Sequence, residues 1–539
     1  MLATSDPYPS PHAKPEANVE YGNVQRFPVE SDDGYRAQDQ RKNRNSYRPL
    51  FITLYVMLLL ATAGLAFAVT RYVQTVKNKH KSPPSQDTTS DGSTDVDSSS
   101  PATLAEVDPD RDLIAYRSDI EYILFTEMDE GLSTDFVEGP QKRAIDWLVS
   151  DDLVLNSTEV RAMAEYIKNG DEDSVSTVPL VQRYALMVLF FATNGELWSD
   201  SSWRELVNVP ECRFMGIECD LEGHINTLDV GYRKLRGRLP GEVGMLSMLT
   251  SLNVESNNLE GTIPSFLYNK LTKLERVDMR NNGFLSTISS DISKLTNLKA
   301  LYLGELFLTG EVPTDAMKSL SSLEEISISH ATEMTGPLLE FSEHWPNLTY
   351  FDILRSTFTG TIPTTIGTNT NLKYIWLEQT SMNTSILPTE LGLLPNLKEF
   401  ILDNLVVDDT TGTIPTELGN CQALTSLHVD KFRGPIPTEL GRLTNLKFLS
   451  MTEGGLTGSV PSELGLLTNL NEMYLYNNRL ESSLPSALGN VQGLKILDIS
   501  MNNLTGSIPE GICRSPSIGI KRDCFIDKCD CCSLYCIEG

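Results

Sequence analysis

The feature that most constrains this chain is a repeat with a period near 24 residues in its C-terminal half. Ten prolines recur at this spacing or at multiples of it, and the last four intervals are 22, 24, 24 and 24 residues. One pattern of leucines surrounds each proline and is clearest over 494–509, and we count about twelve such units over 225–512. The prolines are Pro240, Pro264, Pro313, Pro363, Pro388, Pro415, Pro437, Pro461, Pro485 and Pro509.

Each unit contains the spacing LxxLxL, which is typical of a short strand whose leucines face one side of a sheet. An asparagine follows at the bend, where its side-chain amide can bond backbone groups that the strand leaves open. Glycine then permits a tight turn, and proline fixes φ on the return path. Because one unit cannot bury its own apolar face, the units must stack. We therefore predict an α/β solenoid with a parallel β-sheet on its concave face.

The repeat resembles the plant-type leucine-rich repeat, with the consensus LxxLxLxxNxLTGxIPxxLGxL. The segments LTGSVPSELGLLTNL (456–470) and LDISMNNLTGSIPEGIC (497–513) follow it almost residue for residue. Upstream, ECRFMGIEC (211–219) is similar to the paired-cysteine cap of plant receptor kinases and receptor-like proteins, with Phe214 in place of tryptophan. The segment QRYALMVLFFATNGELW (182–198) is similar to diatom-type single-pass leucine-rich-repeat membrane proteins. The resemblance implies a leucine-rich-repeat superhelix that recognises ligands on its concave face.

The sequence departs from that family in two respects. It carries no kinase signature (glycine-rich loop, HRD or DFG), so signalling by an attached kinase is not implied. The asparagine position is also filled irregularly, and the repeats vary in length from the fifth to the ninth, which predicts an irregular middle of the solenoid. Asparagine stands there only at Asn257, Asn282, Asn478 and Asn502, whereas other repeats carry residues such as Arg233, Leu306, Ser356 and Gly454.

Residues 49–70 are predicted to form one N-terminal transmembrane helix. These 22 residues carry no charge and span about 33 Å as a helix, enough for the hydrocarbon layer. We expect a disordered cytoplasmic tail over 1–48, and a juxtamembrane segment with a Ser/Thr/Asp/Pro-rich stalk over 71–103. Residues 1–81 carry a net charge of +4 and the rest of the chain −32. Since all nine cysteines follow the apolar stretch, we expect a plasma-membrane protein with its N-terminus in the cytoplasm and its repeats outside.

The segment 104–224 is predicted to be helical and to cap the N-terminal end of the repeats over 225–512. Apolar residues recur at helical spacing between Leu113 and Leu124. Further helices are predicted over 140–149, 157–169 and 179–192. The apolar run at the end of the last helix is too short to cross a membrane, so we expect it to pack against the segment that follows.

The nine cysteines divide into a pair, a single residue and a terminal group of six. Cys212 and Cys219 fit a disulfide at the N-terminal cap, and Cys421 is expected to be a free thiol buried under the sheet. The terminal group fits a disulfide-bonded cap over 513–539. A zinc site is the alternative, but no histidine accompanies the group, and no metal is predicted. The terminal cysteines are Cys513, Cys524, Cys529, Cys531, Cys532 and Cys536.

Four Asn-x-Ser/Thr sequons follow the apolar stretch and are candidate N-glycosylation sites. Their number is close to that expected by chance in a chain rich in serine and threonine, so the sequons are weak evidence for the membrane topology. The sequons are at Asn156, Asn347, Asn383 and Asn503.

A candidate ligand-binding surface lies on the predicted concave face at repeats six to nine. The outward strand positions there bring aromatic rings beside carboxylates, which could grip a basic peptide or stack on a sugar. Scattered surface aromatics are also ordinary, so an unspecialised solvated face is the alternative. Tyr474 and Tyr476 follow further along the same face. The candidate residues are Tyr350, Asp352, Tyr374, Trp376, Glu378, Glu399, Asp403 and His428.

No catalytic site or cofactor is predicted. The six histidines form no HExxH pair, and the chain has no Gly-x-Ser-x-Gly elbow. Asp278 and Asp352 are three repeats apart, too far for a two-carboxylate hydrolase. A net charge of −28 argues against nucleic acid as a partner, because phosphate binding needs a basic stripe.

The sequence therefore predicts a single-pass receptor-like protein without enzymatic activity. We expect it to bind an extracellular peptide, glycan or protein through its concave face and to signal only through a partner such as a co-receptor. The acidic body makes a basic or neutral ligand more plausible. The alternative is a structural or adhesive wall-associated protein in which the repeats act as a spacer.

Overall fold

The computed structural model describes residues 109–128, 139–150, 157–169, 176–200, 202–204, 209–383, 386–402, 412–512, 519–523 and 536–537. All described residues belong to one compact unit, Leu104–Gly539. The predicted tail, transmembrane helix and stalk lie outside the described residues. No helix within the described ranges is long and apolar enough to cross a membrane.

Within the described residues, four α-helices precede the repeats, in the places that apolar spacing and helix start and stop signals predicted. The last of them is the most deeply buried, since every residue from Gln182 to Phe190 is covered. It packs against the first convex turn of the solenoid, Gly241–Met245, so the expectation that its apolar run packs against the following segment is confirmed. The helices are α1 (Pro109–Glu127), α2 (Gly139–Ser150), α3 (Ser157–Lys168) and α4 (Val178–Ala192).

Polar side chains of α4 tie the helices to the first repeat. Arg183 is fully buried, pairs with Glu211 at 3.3 Å and donates to the carbonyl of Val209 at 2.8 Å. Its neighbour Gln182 accepts a hydrogen bond from the amide of Ile225 at 2.6 Å. A buried charge is tolerated only with such partners, so the helices and the first strand depend on each other.

Within the part of the chain that the structure describes, the main sheet has fifteen strands. β1 (Ile217–Cys219) is antiparallel to β2, carries a disulfide from Cys219 to Cys212, and lies at the N-terminal edge. The strands from β2 to β13 run parallel, one from each unit over 225–512, so the predicted parallel sheet is confirmed. They are β2 (Ile225–Asp229), β3 (Ser251–Asn253), β4 (Arg276–Asp278), β5 (Ala300–Tyr302), β6 (Glu325–Ser327), β7 (Tyr350–Asp352), β8 (Tyr374–Trp376), β9 (Glu399–Leu402), β10 (Ser426–Val429), β11 (Phe448–Ser450), β12 (Glu472–Tyr474) and β13 (Ile496–Asp498), followed by β14 (Gly519–Asp523) and β15 (Cys536–Ile537).

The convex side of the repeats consists of short helices, most of them 3-10. In eight described repeats the helix begins directly after a proline whose φ lies between −62° and −76°, as the return path requires. Ser289 replaces the proline once, and its hydroxyl accepts the amide of Asp291 at 3.2 Å. The convex helices are Gly241–Met245, Phe266–Asn269, Ser290–Lys294, Thr314–Lys318, Leu339–His344, Thr364–Thr368, Thr389–Leu393, Thr416–Asn420, Thr438–Arg442, Ser462–Leu466 and Ser486–Asn490.

A second set of short strands runs along one lateral side of the repeats, and we call it the lateral ladder. It is interrupted in the middle, where the described residues form only isolated bridges at Ser356, Pro337 and Thr413. The predicted irregular middle of the solenoid is thus confirmed. The ladder comprises Arg236–Gly237, Asn258–Gly261, Gly283–Ser286, Phe307–Glu311 and Glu333–Thr335 before the gap, and Arg433–Pro435, Gly455–Gly458, Arg479–Ser483 and Asn503–Thr505 after it.

Asparagine at the bend joins neighbouring repeats by hydrogen bonds, although the lateral ladder also forms after bends that lack it, as at Leu306 and Gly454. The side-chain amide of Asn257 donates to three backbone carbonyls at 2.9–3.2 Å, one of them Val230 in the preceding repeat. Its oxygen accepts the amides of Arg233 and Leu235. Each of these asparagines therefore joins two repeats. Asn282, Asn478 and Asn502 likewise donate to three carbonyls and accept an amide from the preceding repeat.

Cys421 is a buried free thiol, as expected, but it does not lie under the sheet. It follows the convex helix Thr416–Asn420, and its sulfur lies 3.1 Å from the carbonyl oxygen of Leu391. The corresponding position after the convex helix is leucine in most repeats, so the thiol fills an apolar site of the convex layer. Burial raises the pKa of this thiol to about 11.

Of the predicted C-terminal cap over 513–539, only β14 and β15 belong to the described residues, and the predicted disulfides lie outside them.

Candidate functional site

The concave face presents two rows of side chains, because successive strands pair in register. In one row Tyr350 stands beside Tyr374 and then Glu399. In the other row Trp376 has Asp352 on one side, and His428 follows two strands away. Six of the eight predicted site residues therefore lie on neighbouring strands, as the repeat spacing implied.

Three aromatic side chains of these rows form a packed cluster. The Tyr350 ring meets Trp376 edge to face with centroids 5.3 Å apart, and Tyr374 lies 6.0 Å from Tyr350 and 6.4 Å from Trp376. The indole N–H of Trp376 donates to Glu399 at 3.2 Å, and burial raises the pKa of that carboxyl. The rings are half-buried, so each keeps part of its surface for a ligand while its neighbours hold it in place.

Asp352 is not the exposed carboxylate that its outward position suggested. It is only 5% exposed, because the long side chain of Tyr350 and the neighbouring strands cover this short one. Its carboxylate accepts the Ser327 hydroxyl at 2.7 Å, the Leu354 amide at 3.0 Å and the Tyr350 hydroxyl at 3.4 Å. Burial raises the pKa of Asp352 in spite of these donors. Asp352 therefore positions Tyr350 from below and is not available to contact a ligand.

Towards the N-terminal repeats the concave face continues through Tyr302, which the sequence reading missed. Two guanidinium groups contact its ring, with Arg276 at 4.6 Å and Arg280 at 4.7 Å from the ring centroid. Arg280 also grips the buried Asp278 with two hydrogen bonds of 2.7 and 3.0 Å, and the Tyr302 hydroxyl donates to Glu325. Arg276 and Arg280 are therefore held by cation–π contacts and an ion pair.

Towards the C-terminal repeats His428 stacks on Phe448, with parallel rings 4.2 Å apart. Phe448 in turn lies 5.4 Å from Tyr474, whose hydroxyl donates to Glu472 at 2.8 Å. The aromatic side chains thus extend over most of the concave face, with Ile401 between Trp376 and His428 in their row. We call them the concave aromatic ridge: Tyr302, Tyr350, Tyr374, Trp376, His428, Phe448 and Tyr474.

Tyr302 and Phe448 could have been found from the sequence. Each occupies an outward strand position, and the same register argument that joined Tyr374 to Tyr350 extends to both. Of the other predicted residues, Glu378 accepts the side-chain amide of Gln379 at 3.3 Å near the edge of the face. Asp403 lies outside the described residues. Among the sequons, Asn347, Asn383 and Asn503 are exposed, and Asn156 is outside the described residues.

One group in the described residues could hold a metal ion, namely Asp220, Glu222 and His224 beside the N-terminal cap. Asp220 already accepts the amides of Glu222 and His224, both at 2.9 Å, which makes it part of a local turn. A turn of this kind explains the proximity of the three side chains without a metal.

The repeats also match known sequences. A model described as "Leucine-rich repeat region" matches residues 360–533, and one described as "Leucine Rich Repeat" matches 248–270. In Arabidopsis thaliana, Receptor-like protein 6 is 29% identical over 241 residues, which cover 42% of this chain and 23% of that protein. Pollen receptor-like kinase 2 of the same plant is 31% identical over 161 residues, covering 30% and 24%. The chain thus spans less than a quarter of the length of these curated relatives.

Two solved structures have a similar fold. The crystal structure of PEPR1–AtPEP1 has a TM-score of 0.51 and 29% identity, covering 63% of this chain and 51% of that one. The Arabidopsis receptor kinase HAESA, solved with the peptide hormone IDA and the co-receptor SERK1, has a TM-score of 0.53 at 23% identity, covering 65% and 62%, and supports the fold alone. The fold defines a leucine-rich-repeat protein. Together, the matches confirm its resemblance to plant-type leucine-rich-repeat receptor-like proteins.

Proposed function

We propose that this chain is a receptor-like protein of the cell surface that binds a peptide along its concave aromatic ridge. The observation that carries the proposal is the ridge itself, in which rings from several repeats, half-buried apart from the buried Tyr302, are fixed against one another and against carboxylates. Rings held in this way lose little side-chain entropy on binding, which is characteristic of binding hot spots. The role is non-catalytic: the ridge provides contacts and no activated nucleophile.

The ridge and its surroundings favour a neutral or basic peptide with apolar side chains. Its carboxylates, such as Glu399 and Glu472, already accept hydrogen bonds from the ridge, and the chain as a whole is strongly acidic. The negative charge of this surface would repel an anionic ligand. A glycan remains an alternative ligand, because sugars also stack on aromatic faces.

The proposal includes a single membrane span over 49–70, with the N-terminus in the cytoplasm and the repeats outside the plasma membrane. Signalling would then require a partner such as a co-receptor. The apolar length of this stretch and the position of all cysteines beyond it support this topology. Protease treatment of sealed cells expressing the full chain with an N-terminal tag tests it, because the tag should be protected; digestion of the tag from outside would contradict the topology.

A peptide-display selection against the full chain, followed by affinity measurements on variants, tests the binding role. Replacing Tyr374 and Trp376 together by alanine should weaken the selected peptides at least tenfold, since buried aromatic anchors dominate such interfaces. Tyr232→Ala, which removes an exposed tyrosine of the first repeat, is the matched control and should change little. Equal affinity for the double variant would contradict a role for the ridge. Failure to select any peptide would favour the structural or adhesive alternative.

A further inference from the structure

Two exposed apolar side chains lie on the lateral ladder, away from the concave aromatic ridge. Phe307 is 65% exposed and Leu285 is 61% exposed. They are directly paired across adjacent strands of the ladder, so they form one surface, which we call the lateral patch.

The other repeats show that the fold does not need apolar residues at these two places. A ladder residue whose side chain points outward is exposed to solvent, so a polar residue at that position is compatible with the fold. Phe307 and Leu285 are therefore exceptions within the chain's own repeats. At the place of Phe307 other repeats carry Lys234, Asn258, Gly283, Thr332, Thr357, Arg433, Gly455, Arg479 and Asn503, and at the place of Leu285 they carry Arg236, Glu260, Thr309, Thr457, Glu481 and Thr505.

The lateral patch borders a cavity of about 430 Å³. Leu306 and Leu308 are buried beside it, whereas Glu305 and Glu333 contribute two exposed carboxylates to its lining. Among the described residues that line the cavity, none is a lysine or an arginine. The cavity thus combines apolar surface with the negative charge of Glu305 and Glu333, and His330 is the one described lining residue that can carry a positive charge.

We propose that the lateral patch and its cavity are a docking site for a segment of a partner protein that carries an apolar side chain next to lysine or arginine. The apolar side chain would contact Phe307 and Leu285, and the cation would lie against Glu305 and Glu333. Apolar contact with complementary charge at its margin is the usual composition of a protein-binding surface. The site lies on the lateral side of the third to fifth repeats, so it could be occupied while the ridge holds a ligand.

The test uses the full chain and two dye-labelled synthetic peptides, Gly-Lys-Leu-Phe-Arg-Gly and its charge-reversed form Gly-Glu-Leu-Phe-Asp-Gly, in fluorescence anisotropy titrations. The basic peptide should bind saturably and at least tenfold more tightly than the acidic one. The double variant Leu285→Thr, Phe307→Asn should weaken it at least tenfold. Both substitutions use residues that other repeats carry at the same places, so thermal unfolding should be unchanged. Glu305→Gln with Glu333→Gln should bring the two peptides to similar affinities.

Leu393→Ala, which removes an exposed leucine of the convex side, is the matched control and should leave the affinity of the basic peptide unchanged. The proposal is overturned if the basic peptide does not saturate, if both peptides bind alike, or if Trp376→Ala abolishes binding while the lateral variants do not. Sedimentation velocity provides a further check. Self-association of the full chain that the lateral double variant abolishes would assign the surface to a second copy of the chain and overturn the proposal for a distinct partner.

Discussion

The outer repeats and the middle repeats of this solenoid are stabilised differently. In the outer repeats buried asparagines such as Asn257 and Asn478 join some of the bends to the preceding repeat, and the lateral ladder is continuous on each side of the gap. In the middle repeats, around β7 and β8, the same position holds Ser356 and Thr380, and the described ladder shrinks to isolated bridges. The main sheet passes through both regions in register. The concave face therefore stays continuous where the lateral side is weakest.

This difference indicates which layer carries the candidate site. The aromatic cluster of Tyr350, Tyr374 and Trp376 lies in the middle repeats, where the bend is least regular. Main-sheet pairing and stacking between rings are sufficient to place it. A local loss of lateral hydrogen bonds should consequently alter stability in one region without displacing the cluster, because each repeat contacts mainly its neighbours.

The largest expected effect is a loss of stability on replacing the residue at the bend, and this loss should be greater in an outer repeat than in a middle repeat. Asn257→Ala should lower the free energy of unfolding by about 3 kcal/mol, because it leaves several buried backbone groups without partners. Ser356→Ala removes one hydrogen bond, from the serine hydroxyl to Ile353 at 2.7 Å, and should cost only about 1 kcal/mol. Urea unfolding of the two variants measures both values. Equal losses would mean that the bends of the two regions are held alike.

On the convex side, the backbones of neighbouring repeats approach each other closely at a glycine, and this close approach should make the glycine sensitive to substitution. A Cβ at Gly419 would lie 2.3 Å from the carbonyl oxygen of Glu439 in the next repeat, so Gly419→Ala should destabilise by about 2 kcal/mol. At Gly493 the nearest atom is 3.5 Å away, which is ordinary contact, and Gly493→Ala is the matched control. Thermal unfolding compares them. If Gly419→Ala is as well tolerated as the control, the repeats do not pack this closely on the convex side.

Within the middle repeats, two threonines should respond in opposite directions. The Thr380 hydroxyl is buried with no hydrogen-bond partner, so Thr380→Val should stabilise the chain by about 1 kcal/mol. The Thr357 hydroxyl donates to Met334 at 2.7 Å, and Thr357→Val should destabilise by a similar amount. Urea unfolding shows whether each variant is more stable or less stable than the parent. Destabilisation by Thr380→Val would show that its hydroxyl is satisfied after all.

The smallest expected effect is a pH dependence of folding stability that arises from Asp352. Because burial raises its pKa, the folded chain binds this proton more tightly than the unfolded chain does. Its contribution to stability should then fall as pH rises from the unfolded pKa, about 3.9, through the raised folded value. Asp352→Asn cannot ionise, so the variant should gain stability relative to the parent between pH 3.5 and pH 7. A relative loss over that interval would show that the hydrogen-bond donors dominate and lower the pKa.

Much of the fold follows from periodicity alone. The LxxLxL spacing directly reports which residues are buried, so it predicted the parallel strands, and apolar spacing with helix start and stop signals placed the four described helices. The varying length of the fifth to ninth repeats likewise predicted where the solenoid becomes irregular. The lateral ladder itself was not foreseen, because its short strands carry no apolar alternation that distinguishes them from a loop.

The candidate site was predictable in its outline but not in its contacts. Strand register brings Tyr350, Tyr374 and Trp376 together, and this much is implied by the repeat length. The burial of Asp352 depends on how the longer side chain of Tyr350 packs against it. The enclosure of Tyr302 by two arginines depends in the same way on side-chain packing between strands, which a repeat pattern does not specify.

The central claim is that ligand binds on the concave side of the middle repeats, and site-specific photo-crosslinking tests it most directly. The photoreactive residue p-benzoylphenylalanine would replace Trp376 in one full-length variant and Leu393, which is 61% exposed on the convex side, in another. After irradiation with the display-selected peptides, mass spectrometry should find a peptide adduct at position 376 and none at 393. Adducts at 393 alone, or equally at both positions, would contradict the account.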